Sequence, residues 1–265
     1  MKQRVDLALV ERGLAQSREK AQAYVLSGRV YVGEVRVDKP SQTISVDEPL
    51  VLRGDDMAWA SRGALKLEKA LSVFAVDAKG VTALDIGAAA GGFTDVLLRA
   101  GAKHVYAVDV GYGQMDWRLR QDSRVTVMER TNARTLTLDM FPLRPSLTVM
   151  DVSFISIRLL MPVAMQVMGE GGRFVTLIKP QFEAGRGLVG KHGVVREPRT
   201  HVAVLKGIRD YAASLGWQMA QADFSPVKGP KGNIEFLADI RKADSPPLDD
   251  DRLESLVAQA HQALD

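Results

Sequence analysis

The stretch Val81-Thr82-Ala83-Leu84-Asp85-Ile86-Gly87-Ala88-Ala89-Ala90-Gly91-Gly92-Phe93-Thr94 decides how the rest of the chain is read. An apolar run closes on Asp85, passes into a turn of small residues and enters a helical pattern over 94–99. At the carboxyl end of a parallel strand, such a turn lets a ligand approach the backbone, because no side chain stands in the way. The turn reads Gly-Ala-Ala-Ala-Gly-Gly and not Gly-x-Gly-x-x-Gly, so the diphosphate cradle of a dinucleotide site is imperfect. Asp85 adds a negative charge that would repel a diphosphate and favour a cation. S-adenosyl-L-methionine carries an ammonium and a sulfonium and no phosphate, and it fits this acidic rim.

Outward from this turn, apolar strand-like runs at 81–86, 105–110, 125–129, 147–152, 173–178, 219–224 and 234–240 alternate with helical patterns such as 94–99, 158–168 and 199–215. This alternation predicts an α/β fold with a mostly parallel, doubly wound, Rossmann-like sheet. The strand after the turn ends in Asp109-Val110, where an acidic residue can take both hydroxyls of a ribose. Asn132 follows the third strand and can read an adenine edge with its amide. The expected cofactor contacts are Asp85, Gly87, Ala88, Gly91, Gly92, Phe93, Asp109, Val110, Asn132 and Asp151.

The 265 residues leave room for one large domain and one small one. At 46% hydrophobic and 25% charged, the chain can bury a core, and its net charge of +3 permits a nucleic-acid partner without demanding one. No cysteine is present, which excludes disulfides, thiolate-held metals and cysteine nucleophiles. No metal-ligand pattern is expected. The N-terminus lacks the apolar core of a signal peptide, and no window approaches the roughly 18 apolar residues of a membrane span. A cytoplasmic, monomeric protein without membrane contact is the expectation. The domains predicted are a small α+β block over 1–56, a linker over 57–60, the large domain over 61–243, and a helix over 244–265 packing on it. Ser245-Pro246-Pro247 breaks the chain before that last amphipathic helix.

Several runs carry a resemblance. Ser61-Arg62-Gly63-Ala64, Gly91-Gly92-Phe93-Thr94, Asp109-Val110-Gly111-Tyr112-Gly113-Gln114, Glu129-Arg130-Thr131-Asn132-Ala133-Arg134, Asp151-Val152-Ser153-Phe154-Ile155-Ser156, Lys179-Pro180-Gln181-Phe182-Glu183 and Gly232-Asn233-Ile234-Glu235 resemble the TlyA family over nearly the whole chain. That family bears two names, hemolysin A and ribosomal RNA 2′-O-methyltransferase. The large domain also resembles the FtsJ-type methyltransferases, whose Lys-Asp-Lys-Glu set falls by motif on Lys66, Asp151, Lys179 and Glu235. The resemblance implies that Lys179 is the base or steers the ribose hydroxyl and that Lys66 supplies a second cation. It implies that Asp151 orients Lys179, and that Glu235 fixes Lys66 or the hydroxyl. Which lysine takes the proton stays open, and Lys69 competes with Lys66 for its place, since solvated helix charge is the ordinary reading of both.

The first block resembles the small RNA-binding domain named after ribosomal protein S-four, carried by Arg4-Val5-Asp6, Leu14, Ser17-Arg18, Ala21, Gly28-Arg29-Val30 and Val37-Asp38-Lys39-Pro40. Arg4, Arg18, Lys20, Arg29 and Arg36, with Arg62 beyond the block, are the expected RNA contacts. Residues 1–40 hold eight Lys/Arg against five Asp/Glu, so a basic face depends on placement and not on excess. Two glycine-rich basic segments, 185–193 and 228–232, are further RNA candidates beside the proposed site. The expected partner is ribosomal RNA or a ribosomal subunit. The competing readings are a membrane-active hemolysin, a non-catalytic RNA-binding protein and a dinucleotide-dependent oxidoreductase.

Overall fold

The computed structural model describes residues 2–15, 17–26, 28–52, 59–169, 171–242 and 247–264. The chain forms two compact units, Met1–Ala58 and Trp59–Asp265. Of the expected linker, Met57 and Ala58 lie outside the described residues, as do Ser245 and Pro246 of the later break.

The first unit runs β1 (Lys2–Arg4), α1 (Val5–Glu11), α2 (Arg18–Leu26), β2 (Val30–Val32), β3 (Val35–Arg36), β4 (Thr43–Ser45) and β5 (Leu50–Leu52). Ser17 caps α2 by accepting the Lys20 N–H at 3.2 Å, and Gly28 takes the left-handed position after it at φ 72°. β2 pairs antiparallel with β3 across a tight turn and with β5 on its other side. β1, which the sequence pattern does not announce, pairs antiparallel with β4. Three residues are too few to show a period of two. Val5, Leu9, Val25, Val30 and Ile44 close a small core between these elements.

The second unit begins with α3 (Ala64–Val73), β6 (Thr82–Ile86), α4 (Gly92–Arg99), β7 (His104–Val108), α5 (Trp117–Arg120), β8 (Val125–Met128) and β9 (Leu147–Met150). It continues through α6 (Met161–Val167), β10 (Arg173–Ile178), α7 (Pro180–Glu183), α8 (Pro198–Ser214), β11 (Gln218–Phe224), β12 (Phe236–Arg241) and α9 (Asp250–Leu264). Seven strands form one sheet in the order β8-β7-β6-β9-β10-β12-β11. β6 to β10 pair in parallel, while β12 runs antiparallel to both neighbours. The near-continuous apolar run of β10 is buried on both faces, as a central strand of such a sheet requires. One core layer joins Ile86, Met150, Phe174 and Phe236 to α6, α8 and α9; the other joins Ala83, Val105 and Val149 to α3 and α4. Leu253, Val257 and Ala260 bury α9 in the first layer.

β7, β8 and β9 end one or two residues earlier than the apolar runs suggest, whereas β6, β10 and β11 end where the runs do. Asp109 and Asp151 lie just beyond β7 and β9, and β12 begins at Phe236, so Glu235 precedes it instead of lying within it. The helical pattern at 158–168 resolves into a 3-10 turn, Ile157–Leu159, followed by α6, because Pro162 suits only a helix's first turn.

Candidate active site

The chain order reverses between β6 and β9, and ligands of open α/β sheets bind outside the carboxyl ends of strands at such a switch point. Gly87 follows β6 there with φ 86°, a backbone region open to glycine at little cost. A Cβ on it would lie 2.5 Å from the Asp151 carbonyl oxygen, so the two strand ends meet through backbone. Gly92 opens α4 against Ser61, whose Oγ would stand 2.1 Å from an added Cβ.

Of the residues expected at the cofactor, Asp109 is half-buried and accepts the Ala89 N–H at 2.8 Å on Oδ2 and the Gly111 N–H at 2.7 Å on Oδ1. Val110 is exposed beside it. Asn132 is exposed and its Oδ1 accepts the Arg134 N–H at 3.1 Å, leaving the amide NH2 outward. Ala88 and Phe93 bury their side chains in the core under the turn, so only their backbone can face a ligand. Asp85 departs from the acidic rim drawn from the sequence. It lies inside β6 and is fully buried, with Oδ2 accepting the Thr94 hydroxyl at 2.7 Å and Oδ1 lacking a hydrogen-bond partner among the described residues. Desolvation pushes its pKa up to about 7, against the Thr94 hydrogen bond and with help from the charges of Asp151 and Asp109.

Four ionisable side chains from four elements converge beside the turn. Lys66, in the first turn of α3, donates to Glu235 Oε2 at 2.6 Å, and its Nζ stands 3.6 Å from Asp151 Oδ2. Lys179, between β10 and α7, holds Asp151 Oδ1 at 2.5 Å and donates to Ser153 Oγ at 2.9 Å. Both lysines and Glu235 are buried, and Asp151 is largely so. The result is a continuous run of alternating charge: Glu235, Lys66, Asp151, Lys179. Lys69 turns away to Asp223 Oδ1 at 3.0 Å and the Phe224 carbonyl at 2.7 Å, which removes it as a rival for Lys66.

Two further residues of this neighbourhood are read in the sequence only as part of the run 151–156, with no role of their own. Ser153 completes the cradle of Lys179, and Phe154, 91% exposed at φ 65°, stands three residues past Asp151 with its ring 5.3 Å from that of Phe182. A bulky side chain at positive φ is strained, so the surrounding loop must hold it there. Buried Glu183 anchors the far side of this loop, accepting the Ser156 hydroxyl at 2.7 Å and the Ile157 N–H at 2.8 Å; burial pushes its pKa up.

The RNA candidates divide. Arg4 and Arg18 both grip the buried carboxylate of Asp6, which these arginines hold well below the usual carboxylate range. Lys20 and Arg29 lie 5.1 and 4.6 Å from the Tyr24 ring centroid. Arg36 is exposed but paired with Asp38 at 2.9 Å. Arg62 is exposed on the second unit, between Ser61 and Gly63. Among the described residues no helix is long and apolar enough to cross a membrane.

Sheet order, glycine turn and converging charges define a methyltransferase of the FtsJ-like class, and the FtsJ-like methyltransferase family model matches residues 59–242. An S4 domain matches residues 3–50. YqxC of Bacillus subtilis, named as a candidate rRNA methyltransferase, is 47% identical over 99% of this chain and 95% of its own length. The 16S/23S rRNA (cytidine-2′-O)-methyltransferase TlyA of Mycobacterium tuberculosis is 43% identical over 97% and 96%. A solved structure from Streptococcus thermophilus, titled as a hemolysin candidate, is 45% identical with a TM-score of 0.77 over 99% of this chain and 96% of that one. The chain belongs to the TlyA family.

Proposed function

We propose that this protein transfers the methyl group of S-adenosyl-L-methionine to a ribose 2′-hydroxyl of ribosomal RNA. The observation that carries the reading is the run Glu235–Lys66–Asp151–Lys179 at strand ends beside the glycine turn. Buried lysines are costly unless paired, and here two converge on one carboxylate where this fold puts ligands.

The residues around the turn fit the cofactor. Each Asp109 oxygen is anchored by one backbone N–H and keeps a lone pair for a ribose hydroxyl. Val110 offers an apolar side chain to an adenine face and the Asn132 NH2 a donor to its edge. When bound, S-adenosyl-L-methionine supplies an electrophilic methyl group on a sulfonium. The chain must then handle the hydroxyl, a weak nucleophile that loses its proton as the new bond forms. Lys179 is fixed from two sides by Asp151 and Ser153, which leaves its remaining bonding direction for the hydroxyl. Lys66, pinned by Glu235, brings a second positive charge that stabilises the developing alkoxide. The S4 domain supports docking on RNA, with Lys20 on α2 and Arg29 just after it.

The test is methyl transfer from labelled cofactor to ribosomal RNA and to isolated subunits, with 2′-O-methyl positions mapped. The wild-type protein is expected to label such a position. Lys179→Ala is expected to fold and bind cofactor but to transfer at least about 100-fold more slowly, the range of a lost general base. Normal transfer by that variant overturns the assignment of Lys179, and no 2′-O-methyl from the wild type overturns the substrate.

A further inference from the structure

Two glycine-bounded turns border the charged run, and they are built alike. In Gly190-Lys191-His192-Gly193-Val194, the Gly190 N–H donates to the Val194 carbonyl at 3.0 Å and the Gly193 N–H to the Gly190 carbonyl at 3.1 Å. In Gly229-Pro230-Lys231-Gly232-Asn233, the Gly229 N–H donates to the Asn233 carbonyl at 2.9 Å and the Gly232 N–H to the Gly229 carbonyl at 3.1 Å. Each tip carries two consecutive left-handed residues, His192 and Gly193 at φ 69° and 78°, Lys231 and Gly232 at φ 62° and 88°. His192 and Lys231 adopt that conformation at a cost, so their surroundings must hold them there.

One side chain joins the two turns. Asn233 is 2% exposed; its Oδ1 accepts the Val195 N–H at 3.0 Å and its Nδ2 donates to the Gly193 carbonyl at 2.9 Å. The amide thus pairs with the backbone of the first turn as a strand residue would, while the Asn233 carbonyl closes the second. The Lys231 Nζ reaches over the first turn, 4.0 Å from where a Cβ on Gly193 would stand. The second turn also backs onto the charged run, since a Cβ on Gly229 would fall 2.1 Å from Glu235 Oε1. Lys191 and Lys231 are exposed and have no ion-pair partner among the described residues. Exposed cations carried on ordered turns beside a site suit a polyanionic partner such as the phosphate backbone of a nucleic acid.

We propose that residues 190–194 and 229–233 form one clamp on the RNA backbone, with Lys191 and Lys231 meeting phosphates and Asn233 acting as the positioning residue that holds both turns in register beside Glu235. The clamp rests on the RNA reading above. It makes a prediction that a structural role for Asn233 would not: removing an uncharged side chain changes the salt dependence of RNA binding.

The experiment measures affinity of the full chain for deproteinised ribosomal RNA between about 50 and 200 mM salt, where each phosphate contact contributes about 0.7 to 0.9 to the log–log slope. Lys191→Ala/Lys231→Ala is expected to flatten the slope by about 1.5. Asn233→Ala is expected to flatten it comparably and to raise KM for RNA about tenfold, with the saturating rate and cofactor affinity kept. Asn233→Asp, which keeps the acceptor for Val195 and loses the donor to Gly193, is expected to fall between. A wild-type slope in the double-lysine variant overturns the clamp, as does a wild-type slope in folded Asn233→Ala. Should Asn233→Ala not fold, the double variant, built on exposed residues, decides alone. A wild-type protein that methylates no ribosomal RNA overturns the function and the clamp together, whereas methylation with unchanged slopes removes the clamp only.

Discussion

Replacing Asp85 with asparagine tests the electrostatics of the turn directly. The carboxyl is fully buried, Thr94 satisfies one oxygen, and desolvation raises its pKa to about 7 from the ordinary value of 3.8. A carboxyl with a raised native pKa binds its proton more tightly folded than unfolded. Its contribution to stability is therefore fully present below 3.8 and is lost as pH rises through 7. At about 1.4 kcal/mol per pKa unit, Asp85 should make the protein about 2 to 3 kcal/mol more stable at pH ~5 than at pH ~8.5. Asparagine accepts the Thr94 hydroxyl in the same place and does not titrate, so the variant should lose this increment while other groups titrate as before. All three tryptophans, at 59, 117 and 217, lie in the second unit, so urea denaturation followed by their fluorescence reads that unit alone. The quantity to compare is the stability difference between the two pH values, wild type minus Asp85→Asn, without cofactor. A difference below about 0.5 kcal/mol, or one of opposite sign, would refute the claim that burial dominates at Asp85.

Two other substitutions follow from the site. Glu235→Ala strips Lys66 of its closest partner and leaves a buried ammonium facing Asp151 at 3.6 Å, which should cost about 3 kcal/mol in a denaturation experiment, with Lys66→Met/Glu235→Met recovering most of it. Equal stability of Glu235→Ala and wild type would show that the pair is not desolvated. Phe154→Ala removes a side chain that is 91% exposed, so stability should move by no more than about 0.5 kcal/mol. If its ring takes a base, methyl transfer at limiting RNA should fall about 5- to 100-fold, the worth of one base–aromatic stack. Unchanged transfer would remove Phe154 from the site.

Much of this was legible in the sequence for reasons that can be traced to residues. The strands stood out because central parallel strands are buried on both faces and read as unbroken apolar runs, Phe174 to Ile178 most clearly. The glycine turn stood out because its positive-φ and close-packed positions admit few other residues. Less visible were features that depend on distant partners. Lys66 and Lys69 sit three apart on one helix and read alike, yet one is buried against Glu235, 169 residues away, and the other meets Asp223. Asp85 read as the acidic rim of a site because it stands near the carboxyl end of its strand. That end falls at Ile86 as the apolar run indicates, but the carboxyl is buried against the Thr94 hydroxyl of the next helix, a contact that no pattern in the strand marks. Arg4 and Arg18 read as free basic charge, whereas Asp6 occupies both.

The reversal of β12 explains how so scattered a set can meet. Asp151 and Lys179 follow parallel strands, so both emerge at the carboxyl end of the sheet. A residue preceding another parallel strand would emerge at the opposite end, a full strand length away, at roughly 3.3 Å per residue. Glu235 precedes its strand, and it reaches the same end only because β12 runs the other way, with Phe236 paired to Ile178. That register sets Glu235 level with Lys179, and Lys66 on α3 closes the gap between Glu235 and Asp151. The antiparallel strand therefore does more than finish the sheet. It delivers the fourth charge, and with it the Gly229 turn and Asn233, to the edge where the Gly87–Gly92 turn lies.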